Sequence, residues 1–413
     1  MYQLGLRLAA MANPKARLWV NGRRNWAEGL RKAISSEKTP LVWMHCASLG
    51  EFEQGRPLLE FIRNNYPGYR ILVSFFSPSG YEIRKGYTGA DIVCYLPMDS
   101  AKAAKKFIDI VEPDLVLWIR YEFWYHYLNQ LKARNVPVIL VSALFRGSEP
   151  FFRWYGHLHR YMLGCFTQVF LQNNESSGQL SGIGFTTAIV SGDTRYDRVS
   201  AIAAQFRPLP EIEQFIAGLP TLVAGSTWPE DEEELDHFAN TNLNTRFIIA
   251  PHEIGEAHLS EIEQLFKYSI RYSNWVKARS GHSPEVPPNT LIIDNIGMLS
   301  KLYHYATIAY IGGGFGDDGL HNILEAAVYG VPVVHGPVYE KFPEAVALLA
   351  EGGSFAVDNA LELEEICSDL LRQEQNYQVA ARAAARFVQD RKGATATITR
   401  YIQENRLLTS WQK

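Results

Sequence analysis

The chain has 413 residues, 47% of them hydrophobic and 20% charged, enough apolar material for two domain cores rather than one. Its formal net charge of −4 excludes a globally basic nucleic-acid binder, and no nucleic acid is expected as a partner. Cys46, Cys94, Cys165 and Cys367 show neither C-x-x-C spacing nor the density of a disulfide scaffold, which points to a reducing compartment.

Residues 1–38 carry Arg7, Lys15, Arg17, Arg23, Arg24, Arg31, Lys32 and Lys38 against only Glu28 and Glu37, so the basic charge is concentrated there. The apolar run "YQLGLRLAAMA" is broken by Arg7 and followed by Pro14, which is too short for the roughly 20 residues of a membrane span. "GRRNW" follows where a cleaved signal peptide would need small residues. The segment is expected to lie on an anionic membrane surface, with a core-packing helix and solvated basic edge as the alternative.

From residue 39, short apolar runs alternate with helical stretches. The first series is "LVWMHCAS", "YRILVSFF", "DIVCYLP", "DLVLWI", "VPVILVSAL", "QVFLQN" and "TAIVSG"; the second is "TLVAGST", "RFIIAPHE", "TLIIDN", "ATIAYIGGG", "VPVVHGP" and "GSFAV". Continuous hydrophobicity predicts parallel strands covered on both faces, an α/β pattern that occurs twice. The expected organisation is a first Rossmann-like domain over 39–205, a proline-containing linker over 206–220 and a second such domain over 221–413, its terminal helices free to pack back on the first. Doubly wound domains bind ligands at the carboxyl ends of their strands, so a site built from the strand-end loops of both halves is expected.

Those loops hold the candidate chemistry. In "HCASLGE", Glu51 stands where a buried strand hands over to a helix; Ser48-x-x-Glu51 also has capping-box spacing. In "YEFWY", Glu122 is expected to pair with Arg120 or a nearby lysine unless it has a functional role. In "SGDTRYD", Arg195 grips a phosphate or carboxylate, or pairs with Asp193 or Asp197. Ser226 and Thr227 in "AGSTW" cap the next helix or donate to a phosphate, and the acidic run 230–234 reads as that helix's solvated first turn. "APHEIGEAH" misses the H-E-x-x-H zinc pattern, because Glu256 occupies the second histidine position and His258 lies two further on; no metal is expected.

Gly312, Gly313 and Gly314 follow a strand and lead toward a helix expected near His321, an arrangement that suits a phosphate or a plain tight turn. Asn322 and Glu325, three apart, share a face of that helix's first turn, where an inward glutamate accepts the two hydroxyls of a ribose. Otherwise Glu325 interacts with the helix N-terminus, worth about 0.3–1 kcal/mol. Neither a G-x-S-x-G elbow nor a P-loop lysine is present.

Together "LWVNGR", "HCASLGE", "YEFWY", "SGDTRYD", "AGSTW" and "IGGGFGDDGLHNILEAAVYGVPVVHGP", in this order from about 18 to 340, resemble the bacterial 3-deoxy-D-manno-octulosonic acid (Kdo) transferases of lipopolysaccharide biosynthesis. The resemblance implies a GT-B fold, two Rossmann-like doubly wound domains facing across a cleft. It implies a metal-independent, cofactor-free inverting glycosyltransferase that takes CMP-Kdo on its C-terminal domain and a lipid A precursor (lipid IVA) on its N-terminal one. Glu51 matches the family's general base. Ser226, Thr227, His252, Gly312, Gly313, Gly314, Asn322, Glu325 and Arg195 would bind the donor, with Ser48, Gly50 and Glu122 positioning acceptor or donor. The family's arginine beside Pro251 is absent, leaving His252 in its neighbourhood, and its lysine is Arg195, after a Gly192–Asp193 pair in place of Gly-Asn. The implied location is the cytoplasmic face of the bacterial inner membrane, peripheral or N-terminally anchored. Two further readings stay open: another GT-B transferase or sugar-nucleotide epimerase, and a non-catalytic nucleotide-sugar-binding membrane scaffold. Only the scaffold would tolerate loss of Glu51.

Overall fold

A computed structural model describes residues 10–11, 13–34, 39–120, 122–278, 287–316 and 319–409. The chain divides into two units, one of residues 1–198 with 392–413 and the other of residues 199–391.

In the first unit β1 (Leu41–Cys46), β2 (Arg70–Phe75), β3 (Ile92–Tyr95), β4 (Leu115–Ile119), β5 (Val138–Ala143), β6 (Gln168–Leu171) and β7 (Ile189–Val190) form one sheet in the order β3-β2-β1-β4-β5-β6-β7. Every pairing is parallel. All residues of β1, β4 and β5 are buried, which explains the unbroken hydrophobic runs. Short polar residues turn each strand into its helix: Ser48 after β1 accepts from the Glu51 N–H, Ser77 after β2 from Ser79, and Asn173 after β6 from Ser176. The helix Leu49–Asn65 lies so close on the sheet that a Cβ at Gly55 would meet Met44 Sδ at 2.3 Å.

The second sheet joins β8 (Thr221–Thr227), β9 (Arg246–Pro251), β10 (Ser269–Arg271), β11 (Thr290–Ile292), β12 (Ile308–Ile311), β13 (Val333–His335) and β14 (Ser354–Ala356) in the order β10-β11-β9-β8-β12-β13-β14, again parallel. The edge strand β10 has no counterpart among the expected runs, since its three residues are only partly buried and include Ser269 and Arg271. The expected linker 206–220 contains the helix Pro210–Ile216, whose Ile212 and Phe215 are buried, with Phe215 edge-on to Trp275.

Helix Ala394–Glu404 belongs to the first unit, with Ile398 and Ile402 buried in the cluster that holds Phe52, Leu59 and Phe170. Asp197 fastens its start, accepting from Gly393 N at 2.7 Å and Thr395 N at 2.6 Å. The basic N-terminal stretch is also packed on this unit: Trp19, Ala27 and Leu30 are buried, and Arg23 donates to the Leu96 and Phe76 carbonyls. Within residues 13–34 the core-packing alternative therefore describes the helices Pro14–Asn21 and Trp26–Ala33, while residues 1–9, 12 and 35–38 lie outside the described residues. Among the described residues no helix is long and apolar enough to cross a membrane.

Asp197→Ala removes both charge-assisted cap bonds, so unfolding by denaturant should show a loss of about 1–2 kcal/mol. Hydrogen exchange at the Ile398 and Ile402 amides should rise with it, and unchanged exchange there would contradict the cap.

Candidate functional site

Both sheets reverse strand order beside their first strand, at β1/β4 and at β8/β12, which is where a doubly wound domain opens a crevice at its carboxyl edge. Both clusters of candidate residues stand at these points.

At the β1/β4 edge the helix Leu49–Asn65 begins with Ser48 as its N-cap, its Oγ accepting from Glu51 N at 3.4 Å. The Glu51 carboxylate turns back and accepts from the Ala47 backbone N–H. Only the Ser48 half of the capping box suggested by the spacing is formed; the Glu51 side chain reaches past the N-cap to the Ala47 amide, which holds the carboxyl group at the strand end. Burial pushes the Glu51 pKa up to about 7; the Ala47 hydrogen bond opposes this, neighbouring Glu122 adds to it and Arg120 counteracts it. A Cβ at Gly50 would meet open space, so no close packing demands the glycine.

Glu122 does not take the lysine or Arg120 as its hydrogen-bonded partner. Its Oε2 accepts from Trp124 Nε1 at 2.7 Å and lies 3.2 Å from His45 Nε2, while the Trp118 indole donates to its backbone carbonyl. His45 is fully buried in β1, and its Nδ1 lies 2.9 Å from Ser74 Oγ, which also accepts from Trp43 Nε1 at 2.8 Å. One proton arrangement satisfies the chain: Trp43 donates to Ser74, Ser74 to His45 Nδ1, and His45 Nε2–H to the Glu122 carboxylate. Tyr121, between Arg120 and Glu122, lies outside the described residues.

One turn beyond Glu51, the buried Gln54 donates to Asp193 Oδ1 at 2.9 Å. Asp193 accepts from both Arg195 Nε and the Arg195 backbone N–H at 2.9 Å, and despite its burial the Arg195 and Arg120 charges keep its carboxyl below the usual range. Arg195 therefore sits in the first unit, where it forms an ion pair with Asp193, one of the two acidic partners expected for it.

At the β8/β12 edge the acidic run after Trp228 is solvated only in part: Glu230 and Glu233 are exposed as expected, but Asp231 and Glu232 are each 1% exposed. Asp231 accepts from Trp228 N at 2.9 Å, Gly313 N at 2.8 Å and the Tyr310 hydroxyl at 2.7 Å. Glu232 accepts from Thr227 Oγ1 at 2.7 Å and faces His258 Nε2 at 2.9 Å. The His258 Nδ1 lies 3.0 Å from the Glu253 carbonyl. Oxygens thus face both ring nitrogens; burial opposes a charge on His258, but the hydrogen bond and charge of Glu232 raise its pKa overall. This pair ties the loop after β9 to the helix Pro229–Thr241.

The expected donor residues are placed as follows. Thr227 spends its hydroxyl on Glu232, and Ser226 has a left-handed backbone with φ 56°. Gly312 N donates to Gly225 O at 2.9 Å and Gly313 N to Asp231, so the phosphate-cradle expectation lacks its first two donors. Packing demands these glycines: a Cβ at Gly312 would lie 2.3 Å from Ser226 O, and one at Gly314 2.6 Å from Gly336 N. The helix expected near His321 is a single turn, Leu324–Ala327. Before it, Asn322 Nδ2 donates to Glu325 Oε1 at 3.1 Å, joining the two residues as their spacing foretold. The His252 ring stacks on Trp228 at 4.6 Å and lies 4.7 Å from His321. Asp317 and Asp318 lie outside the described residues. Among the described residues no group of three His, Cys, Asp or Glu side chains is arranged to hold a metal ion.

Residues 24–198 match the protein family described as "3-Deoxy-D-manno-octulosonic-acid transferase (kdotransferase)". The chain is 27% identical over 378 residues to the 3-deoxy-D-manno-octulosonic acid transferase of Chlamydia trachomatis serovar A, covering 89% of this chain and 86% of the relative. It is 25% identical to that of Aquifex aeolicus over 344 residues, 82% of this chain and 88% of the relative. The chain is a relative of the Kdo transferases. Among solved structures it resembles the UDP-GlcNAc 2-epimerase from Neisseria meningitidis bound to UDP-GlcNAc, with TM-score 0.63, 16% identity and coverage of 88% of this chain and 100% of that one. A putative UDP-N-acetylglucosamine 2-epimerase from Listeria monocytogenes gives TM-score 0.61 at 14% identity, over 90% of this chain and 98% of that one. These likenesses establish the GT-B-type pair of Rossmann-like domains for this Kdo transferase relative.

His45, Ser74, Gln54, Asp231, Glu232, Tyr310 and His258 were not singled out as site residues from the sequence. A histidine inside the otherwise apolar run "LVWMHC" was the one available signal. In the run "PEDEEE" nothing in composition distinguishes the two buried carboxylates from their solvated neighbours.

A carboxyl group titrating with a midpoint of about 7 should be seen by infrared or carbon-13 NMR difference spectra and should vanish in Glu51→Gln. Tyr310→Phe leaves buried Asp231 one donor short, and a loss of about 1–3 kcal/mol in unfolding free energy is expected.

Proposed function

We propose that this chain transfers Kdo from CMP-Kdo to a glucosamine hydroxyl of a lipid A precursor such as lipid IVA, with inversion at the anomeric carbon and without a metal ion. The observation that carries the reading is Glu51, a carboxyl group held at the β1/β4 edge by the Ala47 amide and poised near neutrality. Glu122 is committed to His45 and Trp124, so Glu51 is the carboxylate suited to act as base. In its ionised form it takes the proton of the acceptor hydroxyl while that oxygen attacks the anomeric carbon. The bond from that carbon to the phosphate oxygen breaks, and CMP leaves with the electron pair. One displacement inverts the centre and needs one base, because phosphate is already a stable anionic leaving group.

The second unit supplies the donor half of the reading. Asn322 and Glu325, joined by their hydrogen bond, suit the hydroxyls of a ribose, and the stacked His252 and Trp228 offer a flat surface to a pyrimidine. The acceptor half falls to the first unit, where a cavity of about 860 Å³ is lined by Arg17, Arg24, Trp26 and Met98, cationic and apolar as a phosphorylated glycolipid requires. Such an acceptor places the protein peripherally on the cytoplasmic face of the inner membrane.

The test is CMP release from freshly generated CMP-Kdo with a tetraacylated lipid A precursor in the presence of EDTA. Acceptor-dependent release with a matching gain of Kdo mass is expected, and Glu51→Gln should lower kcat by about 10²–10⁴-fold. Because only ionised Glu51 accepts the proton, kcat/KM should fall as pH drops below about 7. Release without acceptor modification, or full activity in Glu51→Gln, would overturn the reading.

A further inference from the structure

The connection from β5 to β6 carries an exposed aromatic surface that neither candidate cluster uses. Trp154 is 87% exposed, Tyr155 56%, Leu158 51% and Tyr161 41%, all within eight residues of chain. Leu158 and Tyr161 stand three apart on the short helix His157–Leu163 and so share one of its faces. The turn that presents Trp154 and Tyr155 is fixed. Gly156 N donates to Arg153 O at 3.0 Å, Arg160 Nη1 donates to Phe151 O at 2.9 Å and Arg153 O at 3.0 Å, and a Cβ at Gly156 would meet Pro150 O at 2.1 Å. These rings are therefore held outward, with little ordering left to lose on binding.

The surroundings indicate what they meet. Arg146, Arg153 and Arg160, with His157 and His159, stand against the single carboxylate Glu149 in this stretch, so the apolar surface is set in positive charge. The same connection lines a cavity of about 340 Å³, walled by Phe123, Phe145, Phe151 and Met162 together with Arg120, Glu149 and His159. Tryptophan and tyrosine place an apolar ring and a polar N–H or O–H at the level of lipid headgroups, and arginine pairs with anionic headgroups.

We propose that the segment Arg153–Tyr161 is the surface by which this protein lies on an anionic lipid bilayer. The inference deepens the reading of the acceptor as a membrane glycolipid and rests on that reading for its purpose. It adds the β5–β6 connection to the N-terminal helices, whose Trp19, Ala27 and Leu30 are buried in the first unit while Leu18 is 43% exposed.

The experiment uses the full chain and vesicles of phosphatidylcholine with about one quarter phosphatidylglycerol, read by flotation. Wild type is expected to float with these vesicles, less so with phosphatidylcholine alone, and the combined variant Trp154→Ser, Tyr155→Ser, Leu158→Ser should lose at least about tenfold in partitioning. Trp154→Ser alone, at a site almost wholly in solvent, should reproduce part of that loss with an unchanged melting temperature. Failure of wild type to float, or equal floating of the variants, overturns the proposal. So does a wild-type dimer that the combined variant converts to monomer, which would make this surface an interface between two copies. CMP release from detergent-dispersed acceptor is measured on the same proteins: unchanged release in the variants supports a purely membrane-facing role. A variant that keeps vesicle binding but loses release would place the segment in the acceptor site instead. Because flotation needs no donor, failure of the transferase reading is seen separately from failure of this one.

Discussion

The hydrogen bond from the Ala47 amide to the Glu51 carboxylate is the contact on which the chemistry of the first domain depends. A glutamate pushed toward a buried strand end would ordinarily swing out to water, because removing its charge from solvent is costly. Reaching back to an amide that the strand no longer pairs, it satisfies that amide and stays in place. Ser48 caps the same helix, and Gly55 lets the helix close onto β1, so the carboxyl group is held by rigid elements on both sides.

The same economy of unpaired groups governs the other polar residues at these edges. His45, Ser74 and Trp43 make a chain of hydrogen bonds through the core that ends on Glu122 and orients a second carboxylate. In the second domain Asp231 draws together the Trp228 amide, the Gly313 amide and the Tyr310 hydroxyl, tying the glycine loop to the start of a helix. Glu232 and His258 then tie in the loop after β9. Asp231 and Glu232 are buried and Glu122 partly so, and each is surrounded by two donor groups or more.

These networks explain which sequence expectations survived contact with the structure. Thirteen of the strands were visible as apolar runs because a parallel sheet buries both faces; β10, an edge strand of three half-buried residues, lacked the signal. Ser48 and Glu51 were legible because a capping box is local. Arg195 was legible as a cation, but its partner Asp193 was one of two candidates, and the bond to Gln54 that holds Asp193 joins residues 139 apart in sequence. The glycine triplet was recognised, yet its reason is close backbone approach to Ser226 and Gly336, which no local pattern contains.

The sequence by itself determined the α/β character, the two series of strands, the strand-end loops that carry polar chemistry and the relation to the Kdo transferases. All of these are properties of short stretches or of their order along the chain. The tertiary structure alone decided which acidic residues are buried, what each charged group is bonded to, and that Trp154, Tyr155, Leu158 and Tyr161 face solvent while Trp19 and Leu30 do not. Aromatic residues in either segment read alike, because composition reports how apolar a residue is and only packing between distant segments determines whether water reaches it.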